Sequence, residues 1–301
     1  MAFVYPGQGV QNPGMGADFY KESKEAEQIY NEAESILDFD IKKVCFEEND
    51  LINNTEYTQA ALVTTYLAIT GEVIKREIFP DVTAGLSLGE YGAICVAGGM
   101  NEKEAISLVR KRGIYMNNAV PEGFGGMTAV LGLNKEDIDN VLREKDGVSV
   151  ANYNCPGQIV ITGSVEAIES SVPDLKKLGA RCVKLKVRGP FHSPYLKEAG
   201  EKLGRDLEKV TFNNLSIPYV SNVTGEYVDD IKYTKELLKQ QVYSPVKWEQ
   251  SVRCMIENGV DTFVEIGPGR TIGGFIRKID KTVRHINIST VEDLKKLDDL
   301  R

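Results

Sequence analysis

Histidine is scarce in this chain: only two of its 301 residues are histidines, His192 and His285. A nucleophilic serine needs a general base to take its proton, and histidine is the commonest such base. Only these two residues could therefore serve as a histidine base in this chain. His285 lies in the alternating, strand-like run 282–288 and is expected to be structural or on the surface. His192 lies in a loop between Pro190 and Pro194, where a rigidly positioned catalytic group is expected.

Cysteine is also sparse, and no two cysteines form a Cys-x-x-Cys pair. An odd number of widely spaced cysteines predicts reduced thiols in a cytoplasmic protein and no zinc site. We therefore expect no metal and no disulfide framework. The five positions are Cys45, Cys95, Cys155, Cys182 and Cys254.

The chain lacks an excess of positive charge, with 36 Lys and Arg against 44 Asp and Glu and a formal net charge of −8. This balance argues against a nucleic acid as the natural partner, because phosphate neutralisation needs a basic face. No run approaches the ~18 to 20 continuous apolar residues of a membrane span. The first residues carry no basic start, so no secretory signal is expected.

What the sequence does contain is the pattern Gly85-Leu86-Ser87-Leu88-Gly89. A strand is predicted over 81–86 and a helix over 88–96, which is the local context of a nucleophile elbow. Glycines two positions before and after the serine relieve the crowding of such a turn. The alternative is an ordinary glycine-rich helix start in which Ser87 has no chemical role.

A second glycine-rich turn, Pro6-Gly7-Gln8-Gly9, follows a short apolar strand predicted over 2–5. The flanking glycines let the backbone N–H of Gln8 approach a ligand closely. Together with the N–H of Leu88, it would hold the oxyanion of a tetrahedral intermediate. The alternative is a plain turn with surface glutamines.

The chain organisation predicts an α/β protein with an inserted unit. A glycine-rich joint at 121–126 precedes segments in the order βαββαβ, the pattern of a ferredoxin-like subdomain. We expect this subdomain over 125–187, inserted into a larger α/β domain formed by 1–124 and 188–301. The predicted segments of the inserted unit are 127–131, 135–144, 148–152, 158–163, 165–178 and 181–187. Beyond them we predict helices over 196–209, 234–258 and 272–279, and a strand over 263–266.

Five motifs in a fixed order resemble those of the malonyl-CoA:acyl carrier protein transacylases of type II fatty-acid synthesis. The resemblance runs from residue 2 to about residue 280. The motifs are Pro6-Gly7-Gln8-Gly9, Gly85-Leu86-Ser87-Leu88-Gly89-Glu90, Asn152-Tyr153-Asn154-Cys155-Pro156-Gly157-Gln158, Gly189-Pro190-Phe191-His192-Ser193 and Val264-Glu265-Ile266-Gly267-Pro268-Gly269.

The resemblance implies an α/β-hydrolase-like large domain, an inserted ferredoxin-like small domain and a site in the cleft between them. It also implies ping-pong transfer: malonyl passes from malonyl-CoA to a serine, and then to the phosphopantetheine thiol of acyl carrier protein. Malonyl-CoA and acyl carrier protein are the expected partners, and no cofactor, nucleic acid or membrane is expected.

By the same resemblance, Ser87 is the nucleophile and His192 the general base. The family's histidine is oriented by a backbone carbonyl instead of an aspartate. That carbonyl is expected within residues 241–246, and Ser244 is our choice among them. The amides of Gln8 and Leu88 correspond to the family's oxyanion hole.

Three further positions are implied to select the acyl group. Arg112 matches the arginine that pairs with the malonyl carboxylate, and a guanidinium fork suits a carboxylate better than an ammonium does. Without the resemblance, Arg110-Lys111-Arg112 is typical of a solvated helix face. Phe191 resembles the bulky residue that leaves no room for an α-methyl branch, and Asn154 is expected to order the site.

One position departs from the common family pattern, and other functions remain open. Many members have histidine before the nucleophile where this chain has Leu86, which puts the detail of specificity in doubt. A serine thioesterase or other hydrolase would use the same nucleophile. An inactive carrier-protein-binding module would be expected to lose Ser87 or His192. A free-standing polyketide acyltransferase shares every motif.

Overall fold

Two separate β-sheets organise the chain, whose residues 1–300 are described by the computed structural model. The fold is mixed α/β. A six-stranded sheet has the order β10-β9-β1-β2-β7-β8, and a four-stranded sheet has the order β4-β5-β3-β6. The strands are β1 (Ala2–Tyr5), β2 (Val82–Gly85), β3 (Gly125–Leu131), β4 (Val148–Cys155), β5 (Gln158–Ser164), β6 (Arg181–Lys184), β7 (Tyr219–Val220), β8 (Tyr227–Val228), β9 (Thr262–Ile266) and β10 (Arg284–Ile288).

The six-stranded sheet is parallel except at its β7–β8 edge. Its β1 is an uninterrupted apolar run with every residue buried, as expected for a central parallel strand. Tyr5 lies opposite Gly85 in the register of β1 and β2. Because the carboxyl ends of adjacent parallel strands lie at the same edge of the sheet, the loops after β1 and β2 are neighbours there.

Twelve α-helices surround the sheets in the described chain. The longest is buried along most of its length, which fits its lack of a distinct polar face, and it packs against the helix that carries Arg112. The helices are α1 (Ala17–Glu22), α2 (Lys24–Ile36), α3 (Ile41–Phe46), α4 (Thr55–Lys75), α5 (Gly89–Val96), α6 (Glu102–Asn117), α7 (Lys135–Arg143), α8 (Val165–Lys177), α9 (Lys197–Leu207), α10 (Thr234–Gln241), α11 (Trp248–Glu257) and α12 (Thr271–Ile279).

All four strands of the second sheet lie between residues 125 and 184, and their neighbours are antiparallel. Helices α7 and α8 connect them in the order β3-α7-β4-β5-α8-β6. This is the βαββαβ order predicted from the sequence. The unit has its own apolar cluster, which includes Val130, Ile138, Ile161, Ile168 and Leu175.

The helix predicted over 234–258 is wrong in its middle, because the chain leaves the helix after Gln241 and re-enters one at Trp248. Pro245 has no N–H and disfavours a helical residue before it, which accounts for the break. The released backbone pairs with β4: the Val246 N–H donates to the Ala151 carbonyl at 2.8 Å, and the Tyr153 N–H donates to the Val246 carbonyl at 2.9 Å. Residues 242–247 therefore join the two sheets.

Residues 1–300 contain neither a candidate membrane span nor a candidate metal cluster. No helix in that range has the length and apolar character needed to cross a bilayer. Within the same residues, no group of three or more His, Cys, Asp or Glu side chains is arranged to hold a metal ion. All five cysteines are unpaired thiols.

Candidate active site

Ser87 occupies the sharp turn between β2 and α5 with a left-handed backbone, at φ 52°. Such a conformation costs a non-glycine residue about 1–3 kcal/mol and is typical of functional turns. The two glycines of the motif are required by close approach. A Cβ on Gly85 would lie 1.9 Å from the carbonyl carbon of Gly89, and one on Gly89 would lie 2.2 Å from the carbonyl oxygen of Tyr5. The predicted strand–turn–helix around Ser87 is confirmed.

His192 faces Ser87 although the two lie 105 positions apart, with Ser87 Oγ 2.8 Å from His192 Nε2. The other ring nitrogen, Nδ1, lies 2.8 Å from the main-chain carbonyl oxygen of Gln241. Because a carbonyl only accepts, the ring proton must lie on Nδ1, which leaves the Nε2 lone pair directed at the serine hydroxyl. The expected orienting carbonyl is thus within residues 241–246. The Gln241 carbonyl lies at hydrogen-bond distance, and the backbone of Ser244 also interacts with the ring.

Burial keeps His192 neutral. Only 4% of the residue is exposed. Burial first, and the nearby Arg112 charge second, lower the pKa of His192 to about 4. The backbone carbonyls of Gln241 and, less strongly, Ser244 oppose this shift. A neutral imidazole at physiological pH can accept the serine proton, which a charged one cannot.

Arg112 reaches the same hydroxyl from α6. Its Nη2 donates to Ser87 Oγ at 3.0 Å and to Gln241 Oε1 at 3.0 Å, and its Nη1 donates to Gln59 Oε1 at 2.8 Å. The guanidinium carbon lies 5.4 Å from the centre of the Tyr91 ring. Its Nε is buried and has no acceptor among residues 1–300. A buried guanidinium with donors to spare can bind a ligand carboxylate.

The solvated helix face considered for residues 110–112 is wrong for both arginines, since Arg110 is 9% and Arg112 1% exposed. Arg110 already binds a carboxylate of the protein, because Asp38 accepts from its Nε at 2.9 Å and from its Nη2 at 3.0 Å. No carboxylate occupies Arg112 in this way among its hydrogen-bond partners. Of these two arginines of α6, Arg112 is therefore available to bind a ligand carboxylate, whereas Arg110 is not.

Gln8 and Leu88 line the same cavity as Ser87, which fits the register of β1 and β2, since it brings the loops after these strands to one edge. Neither backbone N–H donates to an acceptor within residues 1–300. The side chain of Gln8 donates to Thr55 Oγ1 at 3.0 Å, which holds the turn in place. Two free N–H groups beside a serine hydroxyl can bind an oxyanion.

A cavity of about 260 Å³ lies between the two sheets and opens onto Ser87. The four-stranded sheet contributes Met127, Ala129 and Val160 to its wall. The predicted site residues that line it are Gln8, Ser87, Leu88, Arg112, Asn154, Phe191 and His192, with Leu86 beside them. Ser244 does not line the cavity, but its backbone interacts with the His192 ring. Asn154 is buried, and its Oδ1 has no donor among residues 1–300.

Comparison with known proteins identifies the family. The acyl transferase domain family matches residues 2–294. The malonyl CoA-acyl carrier protein transacylase of Bacillus subtilis (strain 168) is 40% identical over 301 aligned residues, which cover 98% of this chain and 95% of that protein. The chain belongs to the malonyl CoA-acyl carrier protein transacylase family.

Solved structures of transacylases have the same fold. The crystal structure of the enzyme from Clostridium perfringens has a TM-score of 0.96 at 41% identity and covers 100% of this chain and 96% of that one. A malonyl-transacylase in complex with a type II polyketide acyl-carrier protein has a TM-score of 0.96 at 36% identity, covering 100% and 99%. A transacylase solved together with a type II polyketide carrier protein therefore shares this architecture.

Sequence reasoning missed several residues that support the transacylase site. Asn222 accepts the Ser87 N–H at 2.5 Å and donates to the Gly85 carbonyl at 2.6 Å. It follows β7, which pairs with β2, so its place at the carboxyl edge of the sheet was a usable signal. Gln59 lies in the second turn of the buried helix α4, where the sequence offers no sign of a contact 53 positions away.

Proposed function

We propose that this protein transfers a malonyl group from malonyl-CoA to the phosphopantetheine thiol of an acyl carrier protein, supplying fatty-acid elongation in the cytoplasm. One observation carries the proposal. A serine hydroxyl lies 2.8 Å from a neutral histidine and 3.0 Å from a buried arginine that has no carboxylate partner among residues 1–300. This combination suits transfer of an acyl group that itself bears a carboxylate.

We also propose the finer division of the fold. Residues 1–124 and 188–301 would form an α/β-hydrolase-like large domain, and residues 125–187 an inserted ferredoxin-like subdomain. The β3-α7-β4-β5-α8-β6 order and the antiparallel pairing of the second sheet support this division. The elbow at the carboxyl end of a central parallel strand supports the first assignment.

In the first half-reaction, Ser87 Oγ attacks the thioester carbonyl of malonyl-CoA and its proton passes to His192 Nε2. The new oxyanion accepts hydrogen bonds from the N–H groups of Gln8 and Leu88, which have no protein acceptor to lose. Collapse of the intermediate breaks the carbon–sulfur bond. The departing coenzyme A sulfur takes the proton from His192, leaving a malonyl ester on Ser87.

In the second half-reaction, the phosphopantetheine thiol gives its proton to His192 and its sulfur attacks the malonyl ester. The same two amides hold the second oxyanion. When the carbon–oxygen bond breaks, His192 returns the proton to Ser87 Oγ. The Gln241 carbonyl at 2.8 Å keeps the ring in the tautomer that both steps need.

Selection of the acyl group rests on three side chains of the cavity. Arg112 would pair with the malonyl carboxylate through its unused donors, including the unpartnered Nε. Phe191, 6% exposed, would limit the space for an α-branch. Asn154 would help to order the site, since its side-chain NH2 can donate to the carbonyl or carboxylate of the acyl group, which only accept.

The test is intact-mass spectrometry after mixing the protein with malonyl-CoA or, in parallel, acetyl-CoA. We expect a single malonyl adduct that maps to the Ser87 peptide and discharges onto an added carrier protein bearing phosphopantetheine. Ser87→Ala should form no adduct, because the hydroxyl that carries the ester is gone. Ser170→Ala, which changes an exposed serine of α8, should behave like the wild type.

Other outcomes would contradict the proposal. Loss of the adduct to water at the same rate with and without carrier protein would indicate a thioesterase. An adduct that persists in Ser87→Ala would place the nucleophile elsewhere. Rapid discharge onto a polyketide carrier but not onto a fatty-acid carrier would keep the chemistry and change the pathway, as for the relative solved with such a carrier.

A further inference from the structure

Glu90 is a buried carboxylate that the mechanism above does not use. It lies in the first turn of α5, three residues after Ser87, and is 0% exposed. Its Oε2 accepts the Gln241 side-chain amide at 2.7 Å and the Asn222 N–H at 3.1 Å. Its Oε1 is buried with no donor among residues 1–300. Burying a carboxylate is costly, so a retained one calls for a reason.

The first partner of Glu90, Gln241, is hydrogen-bonded to Ser87, Arg112 and His192. The Gln241 Nε2 that donates to Glu90 also donates to the Ser87 carbonyl at 2.9 Å, and its Oε1 accepts from Arg112 at 3.0 Å. Its main-chain carbonyl accepts from His192. If the amide turned over, Nε2 would face the Arg112 donors and Oε1 would face a carboxylate. The Glu90 acceptor therefore fixes which end of Gln241 meets Arg112.

The second partner of Glu90 holds the nucleophile turn. The Asn222 main-chain N–H donates to Glu90, while its side chain accepts from the Ser87 N–H at 2.5 Å and donates to the Gly85 carbonyl at 2.6 Å. These bonds clamp both sides of the left-handed Ser87 backbone. A single carboxylate oxygen thus connects the clamp on Ser87 with the residue that orients His192 and Arg112.

We infer that Glu90 is a positioning residue for malonyl transfer, whose carboxylate sets the Gln241 amide and the Asn222 backbone and balances the charge of Arg112 across Gln241. The inference rests on the proposed function. Its role is distinct from that of an acid or base, because Glu90 touches neither the serine hydroxyl nor the histidine ring in the described hydrogen bonds.

The charge of Glu90 matters as well as its geometry. Burial raises the pKa of Glu90 to about 7, opposed by its hydrogen bonds from Gln241 and Asn222 and by the Arg112 charge. Tyr91 and Tyr219 also sense Glu90, but burial raises the pKa of both phenols well above their usual range, so they stay neutral. Glu90 is therefore the group facing this network that titrates near neutrality.

Protonation would change the charge without moving the network. Because Oε2 faces two N–H donors, a proton would go to the donor-free Oε1. The network would then keep its hydrogen bonds while Arg112 lost its balancing anion. A malonyl carboxylate would be held more tightly by the unbalanced guanidinium, whereas an acetyl group, which has no charge, would be unaffected.

Two substitutions separate geometry from charge. Glu90→Gln keeps an oxygen acceptor and removes the charge, and Glu90→Asp keeps the charge and withdraws the oxygens by one methylene. Glu102→Gln, which changes an exposed first-turn glutamate of α6, is the matched control. Kinetics with malonyl-CoA and acetyl-CoA would be measured from about pH 5 to about pH 9, where this carboxylate titrates.

We expect Glu90→Gln to lower the KM for malonyl-CoA several-fold relative to that for acetyl-CoA, and to remove the pH inflection near 7 that is expected of the wild type. Glu90→Asp should lower kcat for both donors by about ten- to hundredfold, because the Gln241 amide loses its fixed acceptor. The control should match the wild type in both respects.

A uniform loss for both donors in Glu90→Gln, with the inflection near pH 7 retained, would assign Glu90 a purely structural role and overturn the inference. Wild-type kinetics for Glu90→Asp would overturn it too. If Glu90→Gln does not fold by circular dichroism, Glu90→Asp and the wild-type pH profile still decide. Absence of a malonyl adduct in the wild type would instead contradict the proposed function.

Discussion

The two histidines of this chain occupy opposite kinds of environment. His192 lies in a loop with a left-handed backbone, at φ 60°, and its ring contacts a serine hydroxyl and a main-chain carbonyl. His285 lies within β10, and its Nε2 is 2.9 Å from Glu265 Oε2. The first ring has neutral partners near a cation, and the second has a carboxylate.

The carboxylate that His285 meets already has a structural task. Glu265 accepts the Ile272 N–H at 3.0 Å and the Gly273 N–H at 3.1 Å, and so caps the start of α12. A Cβ on Gly273 would lie 2.1 Å from the His285 ring, which shows how closely the ring packs on this helix. His285 completes a helix cap, whereas His192 faces a cavity.

This difference teaches that partners, more than residue type, decide what a histidine can do. Burial and the neighbouring guanidinium favour the neutral ring of His192, and they outweigh the backbone carbonyl, which by itself favours the charged ring. In this protein the buried carboxylate near the site, Glu90, is bonded to Gln241 and Asn222 and not to His192. The base therefore stays neutral without an acidic partner.

The largest difference between the two histidines is expected when each is replaced by alanine in turn. His192→Ala should slow both half-reactions by about 10²- to 10⁴-fold, the range of a general base. His285→Ala should leave both within a few-fold of the wild type. Rapid-quench measurement of acyl-enzyme formation and discharge gives both rates. An unimpaired His192→Ala protein would remove the base assignment.

A smaller effect is expected from the cation that helps to keep His192 neutral. Arg112→Ala should cost malonyl transfer roughly ten- to hundredfold more than acetyl transfer, since a charge-assisted hydrogen bond is worth about 1.5–3 kcal/mol. It should also raise the pKa of His192, because the Arg112 charge is one cause of its low value. The acid limb of acetyl transfer would then move up from about pH 4. Equal losses for both donors, or an unmoved limb, would contradict these roles.

The smallest effect concerns the other ring. Gly273→Ala should reduce the free energy of unfolding by about 1–3 kcal/mol, because the new methyl group must displace the His285 ring. Adding His285→Ala should restore part of that loss, since the obstructing ring is gone. Urea denaturation of the single and double variants measures both effects. Strict additivity of the two changes would show that the methyl group and the ring do not compete.

Local patterns predicted much of this fold. The Ala2–Tyr5 strand, the turn at Ser87 and the βαββαβ segment each depend on short apolar runs and glycines, which act over a few residues. The continuous helix over 234–258 failed because helical spacing persists on both sides of Pro245. The pairing of Val246 with β4 that replaces the helix joins residues more than 90 positions apart.

The site was predictable where a motif carries the chemistry and not where long-range packing does. Ser87, His192 and Arg112 were named from motifs, and the structure brings them within 3.0 Å of a common hydroxyl. Which carbonyl of residues 241–246 faces the His192 ring depends on the backbone conformation of that turn. The sequence alone therefore could not distinguish Gln241 from Ser244. Glu90 is the last residue of the motif at 85–90, but nothing in the sequence indicates that its side chain is completely buried.

Because Val246 pairs with β4, a movement of the cavity wall is transmitted to the segment that holds the base, His192. An acyl group that pushes β4 outward must break the two hydrogen bonds at Val246 or pull that residue along. Val246 is only five positions from the carbonyl that holds His192. A misfitting substrate would then displace the base as it distorts its own pocket, so that poor fit slows the reaction as well as weakening binding.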